Sequence, residues 1–193
     1  MNYYACFVDV KYIPNILTGS RIAAVPFITW MLCLSTQKFD CFAFFLFLFA
    51  TITDYFDGYL ARLLTSVSKI GAFMDPIADK LLITNVLLLL SYRGVFDEVG
   101  IACASVIVFR EIFVSELRKF MTFPVSLSAK FKTLLQMVSL GCILFCLSFK
   151  LILSNEVLIF IDHVGYYLLV LSAINSFISC VQYVIYCFNC NET

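Results

Sequence analysis

Four aspartates stand close together in the sequence at spacings that can do chemistry. Asp54 and Asp57 are three residues apart and Asp75 and Asp79 are four apart, so each pair shares one face if the chain is helical there. Carboxylate oxygens are the ligands that hard divalent cations prefer. Two such ions held a few ångströms apart can clamp both ends of a phosphoryl displacement. The aspartates therefore indicate a metal site that handles a phosphate group, against the alternative of ion pairs at a helix end.

The residues between the two pairs suit a large anionic substrate. Gly58, Ala61 and Arg62 continue the face of the first pair, and the small residues would let a bulky diphosphate approach the backbone. Gly71 and Pro76 are expected to break the chain and restart it, with Pro76 in the first turn of the next helix.

The composition places these elements in a membrane. Apolar residues make up 62% of the 193 residues and charged residues only 13%, whereas a typical soluble domain is about 25% charged. A spanning helix needs about 20 mostly apolar residues. The prediction is an all-α integral membrane protein with residues 1–193 in one domain. Six candidate spans are Ile13–Leu34, Cys41–Leu60, Ile77–Tyr92, Val99–Leu117, Leu134–Leu153 and Leu158–Phe188.

The basic residues predict the orientation of these spans. Three of the 13 Lys and Arg, namely Lys38, Arg93 and Lys150, lie toward one side, and the other ten lie at or toward the side of the N-terminus. Basic residues favour the cytoplasmic side, so both termini are expected there. The four aspartates then lie at the cytoplasmic ends of the second and third helices. Solvation in the opposite loops would explain the remaining acids Asp40, Asp97, Glu98 and Glu156.

The spacing of the aspartate segment also resembles a known signature. The pattern D-x2-D-G-x2-A-R-x8-G-x3-D-x3-D of the CDP-alcohol phosphotransferase family matches at Asp54, Asp57-Gly58, Ala61-Arg62, Gly71, Asp75 and Asp79. The resemblance implies that Asp54, Asp57 and Asp75 hold divalent metal on the diphosphate of a CDP-lipid. The metal would be Mg²⁺ or Mn²⁺, bound as two ions. It implies that Asp79 is both a metal ligand and the general base, since a carboxylate can accept the proton of an attacking alcohol.

The same resemblance implies residues that bind the CDP-lipid. These are Gly58, Arg62, Ser68 and Asn15. It further implies a multi-pass protein of the bacterial inner membrane with its active site facing the cytoplasm.

A set of cations predicts the second substrate. Segments around Asn15, Arg110 to Arg118, and Lys130 to Lys132 resemble the branch of the family whose acceptor is glycerol 3-phosphate. Arg110 and Arg118 are eight residues apart and face one direction on a helix. With Lys130 and Lys132 they would form a cationic pocket for an acceptor that carries its own phosphate, which Arg binds well. Glu111, directly after Arg110, is a candidate to orient one of these cations. The alternative for these cations is the cytoplasmic bias of basic residues.

The sequence thus predicts transfer of the phosphatidyl group of CDP-diacylglycerol to sn-glycerol 3-phosphate, giving phosphatidylglycerophosphate and CMP. Two alternatives stay open. One is a CDP-alcohol phosphotransferase whose acceptor is inositol phosphate, serine or phosphatidylglycerol. The other is a small ion or proton transporter that uses the acids as a relay. The expected partners are both substrates and membrane lipids, with no nucleic acid, and a homodimer is left open.

Overall fold

The computed structural model describes residues 13–64, 69–120 and 127–190, and among these the side chains of residues 19–53, 77–78, 80–117 and 132–186. The described residues form six α-helices and no strand, which confirms the all-α prediction. The helices are α1 (Ile13–Cys33), α2 (Gln37–Leu64), α3 (Lys69–Tyr92), α4 (Glu98–Phe120), α5 (Leu127–Phe149) and α6 (Asn155–Cys190).

The start of the third helix was predicted wrongly. α3 begins at Lys69 rather than Ile77, so Gly71 and Pro76 lie inside the helix instead of breaking the chain before it. An internal proline removes one backbone hydrogen bond, and helices packed in a membrane tolerate that loss because neighbouring groups compensate for it. α2 and α5 likewise extend past their predicted apolar stretches, because hydropathy detects the apolar part of a helix and not its polar continuation.

Successive helices run in alternating directions. The ring of Trp30 near the end of α1 lies 5.8 Å from that of Phe39 near the start of α2. The Ser139 hydroxyl of α5 donates to the carbonyl of Gly165 in α6 at 2.7 Å. The near end of the bundle is the one where α1, α3 and α5 begin and where α2, α4 and α6 finish. The opposite end is called the far end.

Small side chains let the helices approach closely, as is usual where helices pack in membranes. A Cβ added at Gly165 would lie 3.0 Å from Cys142 Cβ and 3.1 Å from Ile143 Cγ1, so α5 and α6 meet there almost backbone to backbone. Between α1 and α3, the Asn85 amide donates to the Thr29 hydroxyl at 2.9 Å. These contacts fix the relative heights of the helices.

The outside of the bundle carries many large apolar side chains. Ile28, Leu90 and Leu144 are fully buried, whereas Phe42 is 62% exposed and Tyr167 69%. Soluble monomers rarely expose apolar patches on this scale. Within the part of the chain whose side chains are described, two segments, Lys132–Phe149 and Asn155–Tyr186, are long and apolar enough to cross a membrane. Both features agree with a membrane protein.

At the far end, Asp40 is buried in an ion pair with Arg93 rather than solvated. Asp40 is 4% exposed, and its two carboxylate oxygens accept from Arg93 Nη1 at 2.5 Å and Nη2 at 3.0 Å. The Ser148 hydroxyl donates to the Asp40 carbonyl at 3.0 Å. The expectation that Asp40 is a solvated loop acid is therefore wrong, because this residue lies in the first turn of α2 and joins α2 to the turn after α3 and to α5.

Asp97 at the far end caps α4. One of its carboxylate oxygens accepts from the Tyr166 hydroxyl at 2.7 Å and from the Gly100 backbone N–H at 2.8 Å. The Tyr166 hydrogen bond, followed by that from Gly100, lowers the pKa of Asp97 below its ordinary value. A Cβ at Gly100 would lie 2.9 Å from Phe96 Cβ, so the cap requires glycine at this position.

The Asp40–Arg93 pair gives the first prediction. Asp40→Asn removes the charge and leaves the Arg93 guanidinium, which is 12% exposed, without a counter-ion, which should cost up to about 3–5 kcal/mol of stability. Thermal unfolding in detergent micelles measures the loss. Glu156→Gln, at an exposed position in the first turn of α6, is the control and should change stability by less than about 0.5 kcal/mol. Equal losses in the two variants would show that the ion pair does not stabilise the fold.

Candidate functional site

The four predicted metal ligands lie on α2 and α3, in the part of each helix that is toward the near end. Asp54 and Asp57 lie in the last turns of α2, and Asp75 and Asp79 lie in the first turns of α3. Because the backbone is helical at both pairs, the spacings of three and four residues do put each pair on one helix face. Their side chains lie outside the part of the chain that the structure describes.

The side chains of several other predicted site residues also lie outside the part that the structure describes. For five of them the structure gives only the position on a helix: Asn15 on α1, Gly58 and Arg62 on α2, Arg118 on α4 and Lys130 on α5. Ser68 lies outside the described residues altogether.

The donor chemistry of the aspartates fits a divalent cation. Four carboxylates at one end of an apolar bundle need cations, partners or water, and oxygen-only donors are those that Mg²⁺ and related ions take. Asp54, Asp57, Asp75 and Asp79 would hold the metal.

Among the described side chains, the structure brings together Arg110 and Lys132, two of the four predicted acceptor-binding cations. The Lys132 ammonium donates to Glu111 Oε1, and Arg110 Nη1 lies 3.3 Å from the same oxygen. Lys132 is 1% exposed, Arg110 6% and Glu111 8%. These three residues, called here the near-end cluster, form a buried carboxylate shared by two cations.

Residues of two further helices surround the near-end cluster. Arg110 Nη2 donates to the Ser179 hydroxyl of α6 at 2.8 Å, and its guanidinium carbon lies 5.9 Å from the ring centre of Tyr183. Lys80 of α3 interacts electrostatically with Glu111 and Lys132. Since Lys80 directly follows Asp79, the cluster and the aspartate helices share one end of the bundle.

A layer of uncharged polar groups lies one helical turn deeper than the cluster. Gln136 follows Lys132 by four residues on α5, and Ser176 precedes Ser179 by three on α6. The Gln136 amide and the Ser176 hydroxyl are buried and have no hydrogen-bond partner in the part of the chain the structure describes. The polar interior between α4, α5 and α6 therefore extends beyond the charged residues.

Sequence reasoning named Glu111 only as a candidate to orient one of the cations, and it did not assign Ser179 or Tyr183 to the site. Glu111 carried a signal, since an acid beside an arginine in an apolar helix needs a partner. Ser179 and Tyr183 stand in a long apolar stretch of α6, where nothing local distinguishes them from helix-packing residues. Only the crossing of α4 and α6 reveals their contact with Arg110.

Comparison with known proteins identifies relatives along most of the chain. The sequence profile described as CDP-alcohol phosphatidyltransferase matches residues 11–182. Proteins named CDP-diacylglycerol–glycerol-3-phosphate 3-phosphatidyltransferase are similar to this chain. The one from Rickettsia bellii is 37% identical over 176 residues, which is 89% of this chain and 92% of that protein. The one from Rickettsia typhi is 36% identical over 179 residues, 90% of this chain and 96% of that protein.

A relative of the same name from Cereibacter sphaeroides is 43% identical over 135 residues. That match covers 67% of this chain and 61% of the relative, so the chain spans about three fifths of that protein's length. The profile match extends over nearly the whole chain and includes the aspartate segment and the near-end cluster. The chain therefore belongs to the CDP-alcohol phosphatidyltransferase family.

Proposed function

We propose that this protein transfers the phosphatidyl group of CDP-diacylglycerol to sn-glycerol 3-phosphate and releases CMP. Relatives named for that reaction match about nine tenths of the chain. The observation that supports a phosphate-bearing acceptor is the near-end cluster, in which Arg110 and Lys132 meet toward the same end of the bundle as the four aspartates. An acceptor with its own phosphate needs such cations, whereas serine does not. The names of the relatives favour glycerol 3-phosphate over inositol phosphate.

The site residues divide into three sets. Asp54, Asp57, Asp75 and Asp79 hold divalent metal, and Asn15, Gly58, Arg62 and Ser68 bind the CDP-lipid. Arg110, Arg118, Lys130 and Lys132 bind the acceptor's phosphate, since charged hydrogen bonds to phosphate are the strong ones.

In the reaction, a hydroxyl oxygen of glycerol 3-phosphate forms a bond to the phosphorus nearest the diacylglycerol. The diphosphate bond to the cytidine half breaks, and CMP leaves with the bonding electrons. Asp79 takes the proton of the attacking hydroxyl. Bound metal, as two Mg²⁺ or Mn²⁺ ions, supplies neutralising charge at the diphosphate.

In the membrane, the proposal is that all six helices span the bilayer as one domain over residues 1–193, with the near end facing the cytoplasm of a bacterial cell. The basic residues support this orientation. Lys38 and Lys150 are exposed at the far end, while the cations of the near-end cluster are at the opposite end. A water-soluble acceptor made in the cytoplasm would then reach the site directly.

The direct test is CMP release from CDP-diacylglycerol by the purified protein. We expect release that depends on glycerol 3-phosphate and on Mg²⁺ or Mn²⁺. Inositol phosphate, serine and phosphatidylglycerol serve as competing acceptors, and higher turnover with any of them would reassign the acceptor. Absence of CMP release with every acceptor, together with metal-independent charge movement in proteoliposomes, would favour a transporter.

The aspartates give a prediction that separates their roles. Asp→Asn at Asp54, Asp57 or Asp75 should weaken metal binding, so that more Mn²⁺ restores part of the activity. Asp79→Asn should lower kcat about 10²–10⁴-fold while CDP-diacylglycerol still binds, because the base acts in the chemical step. The measurements are turnover against metal concentration and binding of the CDP-lipid. Full rescue of Asp79→Asn by metal would make Asp79 a ligand only.

The cations give a prediction about the acceptor. Arg118→Ala or Lys132→Ala should raise the KM for glycerol 3-phosphate more than that for CDP-diacylglycerol. A lost charged hydrogen bond of about 1.5–3 kcal/mol corresponds to roughly a ten- to hundredfold change. Lys150→Ala, at the exposed far end, is the matched control and should change neither KM. An equal rise in both KM values would argue against a pocket for the acceptor's phosphate.

The proposed orientation can be checked by cysteine labelling. In a variant with the nine native cysteines replaced, a single cysteine at Lys38 or Lys150 should react with an impermeant maleimide added outside the cell. A cysteine at Lys69, where α3 begins at the near end, should react only after the membrane is opened. The reverse pattern would place the site outside the cell and contradict the proposal.

A further inference from the structure

Glu111 lies where a site for phosphate would not be expected to carry an acid. Its carboxylate is buried beside Arg110 and Lys132, the two cations to which the proposed function gives the acceptor's phosphate. A carboxylate near a bound phosphate repels it, so a site evolved only for attraction would lack this charge. Some other contribution must offset the repulsion.

The burial of Lys132 suggests that contribution. Lys132 is 1% exposed, and Glu111 is the only carboxylate in contact with it among the described side chains. A buried ammonium without a counter-ion is costly, so in its absence Lys132 would turn away or lose its charge. The same Glu111 oxygen is also within reach of Arg110, and therefore holds two like charges together at a fixed separation.

Arg110 and Lys132 approach Glu111 from different helices. Arg110 and Glu111 belong to α4 and Lys132 to α5, and Ser179 of α6 holds a second edge of the Arg110 guanidinium at 2.8 Å. The cations are thereby oriented before any acceptor arrives. Such preorganisation lowers the cost of ordering the site on binding.

We propose that Glu111 is a positioning residue for the acceptor: its carboxylate keeps Lys132 charged and, with Arg110, aimed at the phosphate of glycerol 3-phosphate. This inference rests on the proposed function. Two effects then oppose each other when the charge of Glu111 is removed. The phosphate is no longer repelled by the Glu111 carboxylate. However, Arg110 loses its orientation, and Lys132 loses its charge or its orientation. The proposal requires that the second effect is the larger.

The test compares two buried ion pairs at opposite ends of the bundle. Glu111→Gln and Asp40→Asn each remove one buried carboxylate charge that is paired with a cation, and both should lower the unfolding temperature. Glu111→Gln should also raise the KM for glycerol 3-phosphate at least about tenfold, as for a lost charged hydrogen bond, with the KM for CDP-diacylglycerol and kcat little changed. Asp40→Asn should leave both KM values unchanged.

Two further variants show whether Glu111 acts through Lys132. Glu111→Asp keeps the charge and should restore most of the affinity for glycerol 3-phosphate that Glu111→Gln loses. In a Lys132→Gln background, adding Glu111→Gln should raise the KM much less than it does alone, because residues that act together are not additive. Additive effects would overturn the proposal.

A binding measurement separates failure of this inference from failure of the proposed function. Excess glycerol 3-phosphate should raise the unfolding temperature of the wild type and of Asp40→Asn, and raise that of Glu111→Gln much less. If the wild type is neither stabilised nor turned over by glycerol 3-phosphate, the proposed function fails. If the wild type is active but Glu111→Gln lowers the KM, or leaves it at the wild-type value, only the positioning role fails.

Discussion

A charge buried among helices in an apolar environment must have a partner, and both ends of this bundle are organised around that constraint. Breaking such a pair leaves an uncompensated charge, which costs more than the intact pair contributes. At the far end Asp40 and Arg93 join α2 to the turn that follows α3 through two hydrogen bonds. At the near end Glu111 joins α4 to α5 through Lys132. The ion pairs therefore link helices that pack mainly against other neighbours, since α2 packs against α1 and α5, and α4 packs against α6.

The two ends use the same interaction for different purposes. The Asp40–Arg93 pair has one carboxylate for one cation, so its charges balance. The Ser148 hydroxyl adds a hydrogen bond to the backbone carbonyl of Asp40. The near-end cluster has two cations for one carboxylate. Its positive excess leaves it able to attract an anion. This difference in charge balance supports the proposal that the near-end cluster binds an anionic substrate, whereas the far-end pair holds helices together.

Uncharged contacts make this arrangement of charges possible. Close packing at Gly165 and the hydrogen bond from Ser139 bring α5 against α6, so that α6 can place Ser179 beside Arg110. Helices in lipid associate through such small residues and short polar contacts, since burial of apolar surface gives little driving force there. The near-end cluster thus depends on packing more than a turn away from it.

The sequence by itself determined much of this protein. Its apolar content and the spacing of Asp54, Asp57, Asp75 and Asp79 predicted a helical membrane protein with the family signature, because composition and helical periodicity are local properties. The pairing of helices is not local. The exact start of α3 was missed because Pro76 is tolerated inside a packed helix, and the burial of Asp40 was missed because its partner lies 53 residues away. Only the tertiary structure decided that Glu111 faces Lys132 and that Ser179 meets Arg110, since those contacts depend on how α4, α5 and α6 pack together.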